Sequence, residues 1–131
     1  MILIITPGIL VHWVIKEEWG RPRPREIAEF GGSKEFVPAF VISDQGGKSF
    51  VSGHAATGFF FVAFAFLVKG KTRRKIYMCG LMFGGITAFS RMVMGGHFLS
   101  DVIFAGLLTL MTIHFLNTIM LERNSQKIGE M

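Results

Sequence analysis

Residues 90–101 read Ser-Arg-Met-Val-Met-Gly-Gly-His-Phe-Leu-Ser-Asp, and they join the two longest apolar segments of the chain. These segments cover residues 76–94 and 98–120, which are 19 and 23 residues long. At a rise of about 1.5 Å per residue, helices of those lengths reach roughly 28 and 34 Å, enough for a hydrocarbon core of about 30 Å. The sequence therefore predicts two membrane-spanning helices joined by a short polar turn.

Two further apolar segments come earlier, at residues 1–15 and 55–68. With the three polar residues that precede it, the second makes a helix of 17 residues, near the lower limit for a span. The first is too short to cross a bilayer, and we interpret it as the end of a helix that starts before this chain. We therefore predict an all-α transmembrane bundle of three full spans and one partial span, in a single domain over residues 1–131.

The composition also indicates a membrane protein. Half of the 131 residues are hydrophobic, and the mean hydropathy is +0.47. The net charge of +5 comes from short basic clusters between apolar segments, a pattern that does not favour nucleic-acid binding. Residues 69–75 carry five positive charges, which predicts a cytoplasmic loop, with anionic lipid headgroups as the alternative reason for the cluster. Residues 17–51 then form a non-cytoplasmic loop.

The polar turn itself contains a histidine and a carboxylate four residues apart. At the start of a helix, His97 and Asp101 share one face, and an aspartate bonded to one ring nitrogen leaves the other nitrogen free as a nucleophile. The glycine pair at residues 95–96 allows a sharp turn, so that Arg91 can fold back toward the same place. Such a pair is also found on ordinary protein surfaces, but the membrane segments and Arg91 favour a functional site.

A second polar cluster, Ser52-Gly53-His54, lies where the apolar helix of residues 55–68 begins. Free backbone N–H groups and the positive end of the helix dipole favour phosphate there, and Gly53 allows close approach. Ser52 can cap the helix or donate to a phosphoryl oxygen, and the sequence leaves both roles open. His54 is placed to protonate a leaving alkoxide.

The third cluster precedes the long loop. Lys16 and Arg23 flank a turn rich in glycine and proline, whose restricted backbone favours convergence of the two cations. Guanidinium groups match phosphoryl oxygens, and we assign Arg23 to phosphate binding. We interpret Arg21 and Arg25 as interfacial residues attracted to lipid headgroups.

Taken in order, Lys-x6-Arg-Pro, Ser-Gly-His and Ser-Arg-x5-His-x3-Asp resemble the signature of the type-2 phosphatidic acid phosphatase superfamily, which includes lipid phosphatases and vanadium haloperoxidases. The resemblance implies the C-terminal part of a six-helix core and phosphoryl transfer through a phosphohistidine, without a metal or other cofactor. It implies that His97 is the nucleophile, Asp101 its orienting partner and His54 the general acid. The implied phosphate-binding residues are Lys16, Arg23, Ser52, Gly53 and Arg91.

The residues around these motifs look most like those of bacterial lipid phosphatases, including enzymes that act on lipid A. This likeness implies a phosphorylated lipid substrate, a monoester or a diphosphate, and a site on the periplasmic side of a bacterial inner membrane. Two departures are visible: Val51 stands where the family usually has proline, and the leading spans are missing. We therefore expect a fragment or a homo-oligomer.

Three other functions fit the same residues to different degrees. A lipid phosphotransferase would use the same motifs with another acceptor. A catalytically silent, truncated membrane protein would explain the missing spans but not the intact motifs. A vanadium haloperoxidase fits least well, because those relatives are soluble and much larger.

Overall fold

The computed structural model describes residues 19–129, and their side chains up to residue 121. After a long loop come three helices: α1 (Gly53–Leu67), α2 (Gly70–Val93) and α3 (Leu99–Gly129). The loop contains two short 3-10 turns, at Pro24–Glu26 and Ala28–Phe30. Its only strand-like feature in the described part of the chain is a single bridge between Ile27 and Lys34. The all-α prediction is confirmed.

Two helices have the length and apolar composition of membrane spans. They are Gly70–Val93, with 24 residues, and Leu99–Leu121, with 23 residues. The first helix is shorter, since it has eight α-helical residues followed by seven in 3-10 conformation. A 3-10 residue rises about 2.0 Å, so α1 still extends over roughly 26 Å. However, α1 has fewer residues than a typical membrane-spanning helix, whereas the sequence predicts a full span there.

The second helix starts earlier than the apolar pattern indicates. It begins at Gly70, so the basic residues 71–75 lie on its first turns, and the connection from α1 is very short. Lysine and arginine are good helix formers, which explains why the charged residues join the helix that follows them. The segment 69–75, predicted as a loop, is therefore mostly helical.

The first helix packs between the other two, which scarcely touch each other. Glycines make this close packing possible. The Phe59 ring of α1 lies against Gly84 of α2 and Gly106 of α3, at places where a Cβ atom would overlap it. Lower down, Gly80 of α2 lies against the Val62 backbone. Small residues at helix contacts are typical of membrane bundles.

The long loop is folded over the end of the bundle where α1 and α3 begin. Backbone N–H groups of Ser43, Gly47 and Ser49 donate to the carbonyls of residues 19, 20 and 21, at 2.9 to 3.0 Å. Phe50 and Val51 directly follow Ser49, and both are buried in the apolar core between the helices. The pairing therefore holds residues 19–21 and residues 47–51 side by side above the helix ends.

Candidate functional site

The starts of α1 and α3 and the end of α2 meet at one end of the bundle. Ser52, at the start of α1, donates its backbone N–H to the carbonyl of Asp101 in α3, at 3.3 Å. The end of α2 is closed by Gly95, whose φ is +61°, with bonds from Gly95 N to Met92 O and from Gly96 N to Arg91 O. This glycine-dependent ending reverses the chain within a few residues, as the sequence predicted.

His97 is buried in this turn, with 4% of its surface exposed. Its Nδ1 lies 2.7 Å from the backbone carbonyl of Ser49 and 3.8 Å from Asp101 Oδ2. A carbonyl oxygen only accepts, so Nδ1 carries the proton in this contact, and in a neutral ring Nε2 is left with a lone pair. The shorter of these two distances is thus to the Ser49 carbonyl, an acceptor that the sequence does not indicate.

Asp101 has no exposed surface and joins three segments of the chain. Its Oδ1 accepts from Arg21 Nη1, and its Oδ2 accepts from the Ser49 hydroxyl and, at 2.8 Å, from the Phe98 N–H. The Phe98 bond also satisfies a backbone donor ahead of the first turn of α3. Asp101 therefore fixes the start of α3 to both sides of the folded loop.

Arg21 is the main difference between the sequence-based interpretation and the structure. The interpretation of Arg21 as an interfacial residue is wrong, because its exposed fraction is 2% and it forms an ion pair with Asp101. It also donates to Val37 O at 2.8 Å and to Ser100 Oγ at 2.9 Å. The sequence does not distinguish a buried Arg21 from an exposed one, since Arg21 and Arg23 both precede a proline.

The structure places Ser52 and Gly53 at the start of α1. Ser52 is fully buried and is the N-cap, and its hydroxyl accepts from Ala55 N at 3.3 Å. The capping role is thus present, while donation to a phosphate stays a prediction. Gly53 is buried and opens the helix.

His54 follows Gly53 in the first turn of α1, and its side chain is exposed. It lies at the edge of an open groove of about 310 Å³ between α1 and α2. The groove is lined by Gly53, His54, Thr57, Gly58, Phe61, Phe83 and Thr87. The groove is thus polar at its end near the start of α1 and aromatic at its other end, further along the helices.

Two predicted phosphate-binding arginines lie near this end of the bundle. Arg91 is half-buried, and its Nε is a buried donor without a hydrogen-bond partner in the described part of the chain. Its guanidinium packs beside Gly96, with Nη2 3.4 Å from the position of a Cβ atom there. Arg23 is half-buried, and its backbone N–H donates to Glu26 Oε2 at 2.9 Å. Lys16 lies outside the described residues.

The arrangement suits an anion better than a cation. A buried donor on Arg91, the N–H groups at the start of α1 and a ring nitrogen of His97 lie around one end of the bundle. Asp101, the buried carboxylate there, is already paired with Arg21. Among the described side chains, no group of three or more His, Cys, Asp and Glu is placed to hold a metal ion.

These features define a class of protein: a helical membrane protein with a buried histidine and arginine side chains at the same end of its bundle. The sequence matches the PAP2 superfamily over residues 1–125, and the chain belongs to that superfamily. No solved structure matches the chain.

Curated relatives are similar to this chain over most of its length. It is 44% identical to a lipid A 4'-phosphatase of Francisella tularensis subsp. novicida over 108 residues, which are 80% of this chain and 49% of that protein. It is 32% identical to lipid A 4'-phosphatases of Rhizobium leguminosarum and Rhizobium etli, over 98% of this chain and 56% and 51% of those proteins. The chain thus spans about half the length of the relatives it matches.

Proposed function

We propose that this chain carries the active site of an integral membrane phosphatase that removes phosphate from a lipid without a metal. The observation that carries the proposal is the hydrogen bond of His97 Nδ1 to the Ser49 carbonyl, at 2.7 Å. That bond leaves Nε2 of the neutral ring free to attack phosphorus. The names of the relatives support a lipid A-type phosphate monoester as the substrate.

The reaction proceeds in two steps. Nε2 of His97 attacks the phosphorus in line, the bond from phosphorus to the lipid oxygen breaks, and His54 gives its proton to that oxygen. The product is a phosphohistidine and a free lipid alcohol. Water then attacks the phosphohistidine while His54 takes its proton, which releases inorganic phosphate and restores both imidazoles.

Positive groups lower the barrier by stabilising the charge on the equatorial phosphoryl oxygens. Arg91 is suited to this role because its buried Nε donor has no protein partner in the described residues. The N–H groups at Gly53 contribute the positive end of the α1 dipole. Arg23, Ser52 and Lys16 complete the proposed phosphate-binding set.

The substrate tail is proposed to lie among the apolar helices while its phosphate reaches the end of the bundle. The two span-length helices, Gly70–Val93 and Leu99–Leu121, support this placement. The five positive charges at residues 69–75 lie at the opposite end of α2 from Arg91, which supports a site on the periplasmic face of an inner membrane.

The test is release of phosphate from a detergent-solubilised lipid A-type phosphate in excess chelator. We expect turnover by the parent chain and its loss in His97→Ala, with a phosphohistidine trapped on brief incubation with radiolabelled substrate. His114→Ala is the matched control, because His114 bonds its own helix at Leu110 O, three turns from the site. Turnover that requires a divalent metal, or full activity in His97→Ala, would contradict the proposal.

A further inference from the structure

The contacts of Arg21 are those of a side chain held rigidly in one position. Its Nε donates to Val37 O at 2.8 Å, and Nη1 donates to Ser100 Oγ and pairs with Asp101. The Phe98 ring lies under the guanidinium, 4.3 Å from its carbon Cζ to the ring centroid. With only 2% of its surface exposed, Arg21 is withdrawn from solvent and from lipid headgroups.

Asp101 passes this constraint to Ser49. The carboxylate oxygen that Arg21 leaves free accepts from the Ser49 hydroxyl. The Ser49 backbone N–H in turn donates to the Arg21 carbonyl at 3.0 Å. Arg21 and Ser49 are therefore connected twice, directly through their backbones and indirectly through the same carboxylate.

Ser49 also provides the nearest hydrogen-bond acceptor of the His97 imidazole. Its carbonyl accepts from His97 Nδ1 at 2.7 Å, whereas the nearest Asp101 oxygen is 3.8 Å from the same nitrogen. If Ser49 shifts, the ring loses its nearest acceptor and can turn, or move its proton to Nε2. A proton on Nε2 would remove the lone pair that attacks phosphorus.

We propose that Arg21 is a positioning residue for phosphoryl transfer: through Asp101 and Ser49 it holds the carbonyl that keeps the proton on His97 Nδ1. This role is separate from phosphate binding, because Arg21 is 2% exposed and its Nε and Nη1 already bond Val37, Ser100 and Asp101. The inference rests on the proposed function for its effect on rate, but the proton position on His97 can be observed without turnover.

The test compares three variants of the full chain in detergent: Arg21→Met, Arg21→Lys and, as the matched control, Arg25→Met. Arg25 lies in the same loop with an exposed side chain, so Arg25→Met removes the same charge and keeps the backbone bond of Arg25 to Gly95. Lysine keeps the charge, but a single ammonium cannot reproduce the fork that bonds Asp101, Ser100 and Val37 together.

Two readouts separate positioning from simple structural support. Loss of a charged hydrogen bond shifts the equilibrium between productive and unproductive orientations of the His97 ring by about 10- to 100-fold. We therefore expect kcat of Arg21→Met to fall by that factor while KM stays within about threefold of the parent value. Nitrogen-15 NMR of histidine-labelled chain should show the His97 proton on Nδ1 in the parent and divided between both nitrogens in Arg21→Met. His97→Gln assigns the signal, Arg21→Lys is expected to recover part of kcat, and Arg25→Met should match the parent.

A folded Arg21→Met chain with parental kcat and the His97 proton still on Nδ1 would overturn the inference. If Arg21→Met does not fold, Ser49→Ala decides, because it removes the hydroxyl bond to Asp101 and keeps the carbonyl. We expect about a tenfold loss of kcat and the same mixing of proton positions, and parental behaviour would overturn the inference. If the parent chain releases no phosphate, the proposed function fails, and the NMR comparison still decides the role of Arg21.

Discussion

At the scale of single residues, the contacts around His97 and Asp101 are only partly those that the motifs indicate. The two side chains lie close together, with 3.8 Å between His97 Nδ1 and Asp101 Oδ2. The Ser49 carbonyl could not be predicted, because a backbone acceptor leaves no mark on residue type. The burial of Arg21 could not be predicted either, since it depends on the way the loop folds back over α3.

Replacement of Asp101 by asparagine tests the buried ion pair. Asp101→Asn keeps the size of the side chain but leaves the Arg21 guanidinium buried without a counter-charge. Removing one partner of a buried pair costs about 3 to 5 kcal/mol, so we expect a large decrease in the free energy of unfolding. The measurement is denaturant unfolding of the chain in detergent.

Ser100→Ala is the control for this change, because it removes one hydrogen bond to Arg21 and leaves the ion pair with Asp101 in place. Its expected cost is about 1.5 kcal/mol, the lower end for a hydrogen bond to a charged group. Equal stability of the two variants would show that the charge of Asp101 does not hold Arg21 in place.

Arg91 tests the anion pocket itself. Arg91→Ala removes a buried donor that has no partner in the described residues, so the fold loses no hydrogen bond made by that atom. A charged hydrogen bond to a phosphoryl oxygen contributes about 1.5 to 3 kcal/mol, so inhibition by orthovanadate should weaken by roughly 10- to 100-fold. Arg25→Ala, which removes an exposed arginine, should leave inhibition unchanged. Unchanged inhibition in Arg91→Ala would place the anion elsewhere.

At the scale of elements, apolar length predicted the existence of all three helices and their order. The beginnings were less predictable, because α2 recruits the basic residues 71–75, which hydropathy assigns to a loop. The 3-10 ending of α1 at Phe61–Leu67 has no signal in the sequence. The Phe59 ring fills the space beside Gly84 and Gly106, and this contact could not be predicted, because it depends on how the helices are placed against each other.

A pair of glycines on α2 tests that packing. In Gly80→Ala, the new methyl group would lie 2.7 Å from Val62 N and 2.9 Å from Val62 Cα, so α1 must move away. Because overpacking costs about 1 to 3 kcal/mol, we expect a lower melting temperature and reduced turnover. Gly85→Ala is the matched control, since nothing lies within 4 Å of its Cβ position. Thermal unfolding in detergent compares the two, and a Gly80→Ala chain as stable as Gly85→Ala would contradict this packing.

At the scale of the whole molecule, the site and the basic cluster occupy opposite ends. The starts of α1 and α3 and the end of α2 form the site, whereas Lys71, Arg73, Arg74 and Lys75 surround the other end of α2. Positive charges that flank a span favour the cytoplasmic side, where they need not cross the membrane. The chain covers about half the length of its relatives, and large apolar side chains are exposed on its helices.

The proposed orientation predicts which positions a membrane-impermeant thiol reagent can reach. Cys79, the one cysteine of the chain, is exposed on α2 and would be replaced by alanine first. Ser33→Cys then places a thiol in the exposed part of the long loop, and Lys71→Cys places one in the basic cluster.

We expect Ser33→Cys to react in spheroplasts, because the loop that carries Arg21 and Ser49 faces outward together with the site. Lys71→Cys should react only after the membrane is permeabilised, since the cations that remain at residues 69, 73, 74 and 75 retain this end in the cytoplasm. The two positions serve as controls for each other, because both are exposed and neither contacts the site. Reaction of Lys71→Cys alone in intact spheroplasts would reverse the orientation and put His97 in the cytoplasm. Reaction of both positions would place residues 33 and 71 on the same face of the membrane, so α1 would not span it.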